Sequence, residues 1–394
     1  MAEKIQVFVP KFRIEETLGE IRECLERGWT GAGFKTVEIE NEWKAYTGHQ
    51  NAQFLSSATG ALHLAVACLK EQGGWAEGDE IVTTALTFVS TNHVILHERL
   101  TPVFADVDAF GCLDPTDVEG KIGPRTRAVM FVGLGGNTGR LADVARICRK
   151  HGLKLILDAA HMAGTRLDGV CPGIIHADVA CYSFQAVKNL PTGDSGMICF
   201  KDGDLDRMAR KMAWLGISRD TFSRVGSKGD YKWNYDVEYP GFKYNGNAVM
   251  AAIGLVALRY LDEDNAYRRQ IAAWYDELLA DDAHIERIPI APGCESSRHL
   301  YQVLADHRDE VLLALYRDEI FPGVHYRDNT EYRMYRAANG SLPRTKDISD
   351  RVISLPMHLK LKRSDVERIV CSLRNAVEMA VPAPAPAMRV GVSG

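Results

Sequence analysis

Lys188 stands in the segment Ser183-Phe-Gln-Ala-Val-Lys-Asn189, between two apolar stretches and just before Thr192-Gly-Asp-Ser-Gly196. A lysine held away from water gives up its proton more readily, and the neutral amine can attack a carbonyl or carry a proton. Asp158 closes the apolar run Leu153-Lys-Leu-Ile-Leu157 and opens Asp158-Ala-Ala-His161. A carboxylate beyond the carboxyl end of a strand lies where open α/β sheets bind ligands, and it can hold a ring-nitrogen proton. Ser56-Ser-Ala-Thr-Gly-Ala-Leu62 leads small residues and a threonine directly into a helix. Such a start offers unpaired backbone N–H groups and the positive end of a helix dipole, which suit a phosphate dianion. Taken singly, each has a plainer reading: Ser57 or Thr59 as a helix cap, Asp158 as a cap for the next helix, Lys188 as a turn lysine facing solvent.

Their order along the chain narrows the choice. A phosphate-grade helix start, then an acid at a strand end, then a serine and a lysine suit pyridoxal 5'-phosphate (PLP). That cofactor needs an amine for its aldehyde, an acidic partner for its pyridine nitrogen and a cup for its phosphate.

These residues require elements to position them. Thr59 to Lys70 sets Leu62, Ala65, Val66 and Leu69 on one helical face. Short apolar runs predict strands at 80–84, 102–106, 128–132, 153–157, 178–184 and 196–200, and Val144 to Gly152 predicts a helix with a glycine stop. Strands alternating with helices imply an α/β fold with a mostly parallel sheet covered on both faces. Residues 247–280, almost free of Gly and Pro, predict one or two long helices leaving the first domain. Beyond them, a strand at 301–304 and helices at 310–318 and 364–379 predict a smaller α+β domain. The expected division is a large cofactor-binding domain at 13–250, a small domain at 251–380 and a loose Pro/Ala-rich tail at 381–394.

The chain has 394 residues, 47 Lys+Arg against 52 Asp+Glu, and a formal net charge of -5. With 46% apolar and 25% charged residues it reads as globular, not disordered or fibrous. The charge balance argues against a nucleic-acid coat or a polybasic membrane binder. Nine cysteines, an odd count without Cys-x-x-Cys, predict neither a disulfide framework nor a zinc site and fit a reducing cytoplasm. The N-terminus lacks a signal-peptide pattern and no apolar run is long enough to span a bilayer, so a cytoplasmic enzyme is expected.

The chain resembles the DegT/DnrJ/EryC1/StrS family of sugar aminotransferases, of fold-type I. The resemblance is carried by Leu55-Ser-Ser-Ala-Thr-Gly-Ala-Leu62, Gly78-Asp-Glu-Ile-Val82, Thr87-Phe-Val-Ser90, Thr101-Pro-Val-Phe-Ala-Asp-Val-Asp108, Leu157-Asp-Ala-Ala-His161, Ser183-Phe-Gln-Ala-Val-Lys-Asn189, Gly241-Phe-Lys-Tyr-Asn245, Ala251-Ala-Ile-Gly254 and Gly323-Val-His-Tyr326. It runs from about Thr30 to about Val377. The resemblance implies that Lys188 binds PLP covalently and Asp158 pairs with its ring nitrogen. Phe88 would stack on the ring, Ala58, Thr59 and Ser183 would cradle the phosphate, and His161 would sit beside the ring. Asn245 would reach the phosphate from a neighbouring subunit, which implies a homodimer with shared active sites. Read without the resemblance, Phe88 is a core aromatic, and Asn245 and His161 are a turn and a satisfied polar group.

The activity so implied moves an amino group from glutamate, or glutamine, to a nucleotide-linked keto sugar, with pyridoxamine phosphate as the halfway form of the cofactor. Lysine at 188, where dehydrating members carry histidine, favours transamination over a keto-sugar dehydratase. A carbocyclic ketone such as an inosose is the alternative acceptor, and a non-enzymatic regulator is the third reading. In the basic stretch from Arg207 to Lys232, either Arg219, Arg224 or Lys228 meets the diphosphate or the charges are a solvated face; His325 and Tyr326 would reach the sugar from the small domain. Val132-Gly-Leu-Gly-Gly-Asn-Thr-Gly139 departs from the family's His or Tyr beside Gly and Pro, and predicts a wide, flexible edge with Asn137 as its one amide.

Overall fold

The computed structural model describes residues 3–218, 235–335 and 340–380. A seven-stranded sheet lies at its centre, in the order Gln53–Leu55, Gly196–Phe200, Val179–Ser183, Lys154–Asp158, Thr126–Val132, Glu80–Thr84, Thr101–Ala105. Gly196–Phe200 pairs antiparallel with both of its neighbours, and every other pairing is parallel. The mostly parallel α/β sheet is therefore as expected, with strand bounds shifted by one or two residues. Gln53–Leu55 is a strand the sequence reading passed over. At three residues it has no periodicity to read.

Side-chain alternation explains why the sheet is covered on both faces. Val129, Phe131, Leu155, Leu157, Ala180 and Tyr182 enter one core, while Ala128, Met130, Ile156, Val179 and Cys181 enter the other. The helix Ala58–Gly73 lies in the second core. Its expected face is buried, and so are Ala61, Leu64 and Cys68 behind it, because Ser90–His97 and Gly203–Met212 pack over its outer side. Gly74 and Gly152 take left-handed conformations as the stops of their helices. The helical stretch after residue 247 is two helices, Ala248–Arg259 and Leu261–Leu278, broken at Tyr260.

Glu286–Arg287, Tyr301–Leu304 and Val352–Leu355 form a separate antiparallel sheet. It shares an apolar core with Leu261–Leu278 and with Arg363–Ala380 through Ile271, Tyr275, Val303, Ile353, Ile369 and Leu373. Ile5–Gln6 pairs parallel with Ile320–Phe321, which carries the following residues, Phe8 among them, to the gap between this sheet and the central one. Among the described residues no helix is long and apolar enough to cross a membrane. The tail at 381–394 lies outside the described residues.

Gly196 links fold and site. A methyl group there would meet Ala58 N at 2.7 Å, Ser57 C at 2.8 Å and Tyr182 O at 2.8 Å, all backbone atoms that cannot swing aside. Its hydrogen side chain lets the start of Ala58–Gly73 close onto the sheet. Gly196→Ala is expected to destabilise the protein by about 1–3 kcal/mol, seen as a lower midpoint in urea denaturation.

Candidate active site

The carboxyl ends of the parallel strands open into one cavity of about 480 Å³. Ala58, Thr59, Phe88, Asp158, His161, Ser183, Lys188, His325 and Tyr326 all line it. The topology brings them together: each ends or follows a strand whose carboxyl end faces the same way, or arrives on the segment after Ile320–Phe321. Asn245 does not line the cavity of its own chain. It lines a separate one of about 390 Å³, beside Gln53 and Arg210, and its Oδ1 is buried without a hydrogen-bond partner. Arg219, Arg224 and Lys228 lie outside the described residues. In the described part of that basic stretch, Arg207 pairs with Asp204, Arg210 with Glu40 and Asp206, and Lys211 with Glu238, so these cations are held by carboxylates of their own chain.

Asp158 is buried and accepts hydrogen bonds from Thr91 Oγ1 at 2.8 Å and Ala160 N at 3.1 Å. Thr91 is in turn linked to Thr87 at 2.9 Å, which ties the carboxylate to the turn carrying Phe88. Burial pushes the Asp158 carboxyl up, and its two donors and the Lys188 charge pull the other way. Among the described residues none is within ion-pair distance of Asp158, so a cation entering the cavity would find a carboxylate already aimed and short of charge compensation.

Lys188 projects from the loop between Val179–Ser183 and Gly196–Phe200. Thr192 holds that loop, its N–H and hydroxyl both donating to Phe184 O at 2.8 and 2.7 Å. Desolvation pushes the amine down to about 8, against the opposing pull of Asp158. Ser57 caps Ala58–Gly73 by accepting from Gly60 N at 3.0 Å, so the plainer cap reading holds for Ser57, while Ala58 and Thr59 face the cavity. Ser183 also lines it, its hydroxyl accepting from Gln185 N at 3.4 Å. Phe88 is no core residue: it is 58% exposed at the cavity, its ring 6.0 Å from that of Tyr326.

His161 receives Gly135 N–H at Nδ1 over 3.1 Å, so Nε2 carries the ring proton and donates to Tyr326 Oη at 3.2 Å. Burial, with Lys188 nearby, holds its imidazole well below the usual range. His325 accepts from Ser354 Oγ at Nδ1 over 2.9 Å or donates to it, and burial brings it down to about 4.

The edge from Val132 to Gly139 corrects an expectation. It is neither wide nor flexible. A methyl group at Gly133 would meet Met162 Sδ at 2.0 Å, at Gly136 Ser297 Oγ at 2.4 Å, and at Gly139 Cys112 Cβ at 2.5 Å. These glycines mark close packing, not slack. Asn137 is buried and braces the edge, donating to Pro289 O at 2.8 Å and accepting from Ala291 N at 3.1 Å. Phe8, Thr91 and His299 border or support the cavity and were not picked out from the sequence. For His299 a signal existed: a histidine in Ser296-Ser-Arg-His-Leu300, just ahead of a buried strand.

The DegT/DnrJ/EryC1/StrS aminotransferase family model matches residues 12–374. The chain belongs to this family. It is an aminotransferase, with the fold of that family's solved members. The dTDP-4-dehydro-2,3,6-trideoxy-D-glucose 4-aminotransferase of Saccharopolyspora spinosa is 33% identical over 378 residues, 94% of this chain and 96% of that protein. The crystal structure of the aminotransferase TlmJ from Streptoalloteichus hindustanus superposes with a TM-score of 0.88 at 33% identity, covering 96% of this chain and all of that one. Spr1654 of Streptococcus pneumoniae, solved in a PLP-form and a PMP-form, has a TM-score of 0.87 at 26% identity in the first, covering 96% of this chain and all of that one.

The depressed lysine gives a direct check on the full chain without cofactor. Acetic anhydride labelling of Lys188, followed by peptide mass spectrometry across pH, is expected to reach half its maximum near pH 8, below the ordinary range of a lysine in water. The sign follows from burial: the neutral amine is the favoured form, so reactivity appears at lower pH than for a lysine in water.

Proposed function

We propose that this aminotransferase is PLP-dependent and moves the amino group of glutamate to a nucleotide-linked keto sugar, yielding an amino sugar. The observation that carries the reading is the joint placement of Lys188 and Asp158 on one cavity, with the start of the helix Ala58–Gly73 beside them. The residues present fit the cofactor. Lys188 would hold its aldehyde and Asp158 its ring nitrogen. Ala58, Thr59 and Ser183 would take the phosphate, and Phe88 would cover the ring. Asn245, absent from its own chain's cavity, would serve a partner's phosphate site in a homodimer with shared active sites.

When bound, PLP supplies a carbonyl that amines can join and a ring that draws electrons from the substrate's Cα–H bond. The chain's own contribution is a proton carrier and a fixed charge. Nζ of Lys188, with its affinity for protons lowered by burial, can take a proton from the donor's Cα and give it back near neutral pH. Asp158, fixed by Thr91 and Ala160, keeps a negative charge where a positive ring nitrogen is wanted. His325 and Tyr326 would meet the acceptor sugar, with Arg219, Arg224 or Lys228 at its diphosphate. The S. spinosa relative's nucleotide-sugar substrate supports the acceptor class. Nine unpaired thiols, seven of them buried, support a cytoplasmic setting.

Two outcomes test the reading. Borohydride treatment of protein loaded with PLP should fix the cofactor on the peptide containing Lys188, and Lys188→Ala should take up none covalently. Asp158→Ala should lower turnover with glutamate and a panel of nucleotide keto sugars by about 10²–10³-fold, with a far smaller change in the melting temperature. Near-normal turnover in that variant would remove the ring-nitrogen role, and turnover of an inosose in place of every keto sugar would replace the acceptor.

A further inference from the structure

His299 arrives at the cavity from the loop before Tyr301–Leu304, and its ring is gripped from several sides. Nδ1 lies 3.0 Å from Asn189 Oδ1. The Asn189 amide nitrogen already donates to Asn265 Oδ1 and to Ser297 O, both at 2.7 Å, so Oδ1 is the acceptor and His299 Nδ1 carries the proton. Asn265 is itself anchored by donating to Ala163 O at 2.9 Å. Phe8 stacks on the imidazole, with centroids 5.1 Å apart and planes 9° from parallel. The tautomer is thereby set, and Nε2 remains as an acceptor. It faces Lys188 Nζ at 3.5 Å. Burial keeps the ring neutral, and a neutral ring can accept.

We propose that His299 is a positioning residue for Lys188: it accepts a hydrogen bond from the free Nζ at Nε2 and so holds the amine toward the cavity. The inference rests on the function proposed above, in which that amine moves a proton. A lysine amine on a four-carbon stem has many rotamers, and a rigid acceptor removes most of them. The arrangement is self-contained, because Asn189, which fixes the histidine, is the residue next to the lysine it serves. The loop that delivers the amine therefore also sets the tautomer of the group that holds it. The other titratable or charged groups acting on this pair are Asp158, His161, His325 and Arg268, and none of them is altered in the test.

The experiment compares the unaltered full chain with His299→Phe, which keeps a flat ring for Phe8 but cannot accept, and His299→Gln, which offers an amide oxygen. In the cofactor-free chain the labelling midpoint of Lys188 should fall by about one pH unit in the Phe variant, because the protonated amine loses its acceptor. In PLP-loaded protein the glutamate half-reaction, followed by single-turnover absorbance, should slow about tenfold, with KM for glutamate within about twofold. His299→Gln should recover most of both. The inference is overturned if the Phe variant keeps the midpoint and the rate, or if Phe and Gln variants slow alike with the midpoint unmoved, the mark of packing alone. Should Phe unfold the protein, His299→Asn, too short to reach Nζ, is read in the same way. Failure to trap PLP on residue 188 of the unaltered protein would be a different failure, that of the proposed function, and the midpoint would still decide His299.

Discussion

Withdrawal of charge from water at the carboxyl edge of the central sheet is the constraint on which this structure turns. Lys188, Asp158, His161 and His299 meet in a space where hydration no longer decides protonation. The amine is pushed toward neutrality, the carboxyl upward and the imidazoles downward, each because burial penalises its charged form. A buried carboxylate with a hydroxyl and one N–H as its donors is tolerable when its position brings a return elsewhere. Here it places negative charge opposite the entry of a cationic ligand atom.

Such a site demands a rigid frame. The sheet supplies it by burying both faces, so that alternate residues of each strand are locked into separate cores. The carboxyl ends of the strands cannot then drift. The glycines complete the frame. Gly196 lets a helix start approach the sheet, and Gly133, Gly136 and Gly139 let the edge beside Asp158 lie against Met162, Ser297 and Cys112. Gly135 N–H reaches His161 because that edge is tight, and through His161 it steadies Tyr326. A stretch of glycines that reads as slack in one dimension is close packing in three.

The second sheet contributes what the first cannot. His299 comes from the loop before its strand Tyr301–Leu304, His325 and Tyr326 follow Ile320–Phe321 on a segment bridged to it at Gly323 and Ser354, and the N-terminal strand Ile5–Gln6 leads Phe8 in beside them. Residues distant along the chain thus close the cavity from the far side. This is why Phe8 and Thr91 escaped a reading of the sequence: neither sits in a local pattern of its own, and the pattern around His299 says nothing of the lysine it meets. Thr91 matters because it lies on a helix turn that passes Asp158, and His299 because a loop returns it to Lys188.

What the sequence determined by itself was local. Apolar runs and their spacing were enough for the strands and for the parallel α/β class, because periodicity follows from backbone geometry alone. Lysine, aspartate and a small-residue helix start in a particular order were enough to point to a cofactor chemistry, because each residue type brings that chemistry with it. The tertiary structure alone decided how far each group is buried, which tautomers His161 and His299 take, whether the glycine-rich edge is loose or packed, and that Asn245 lies outside its own chain's cavity. Those properties depend on distances between residues far apart in the chain, and pattern along one dimension holds no record of them.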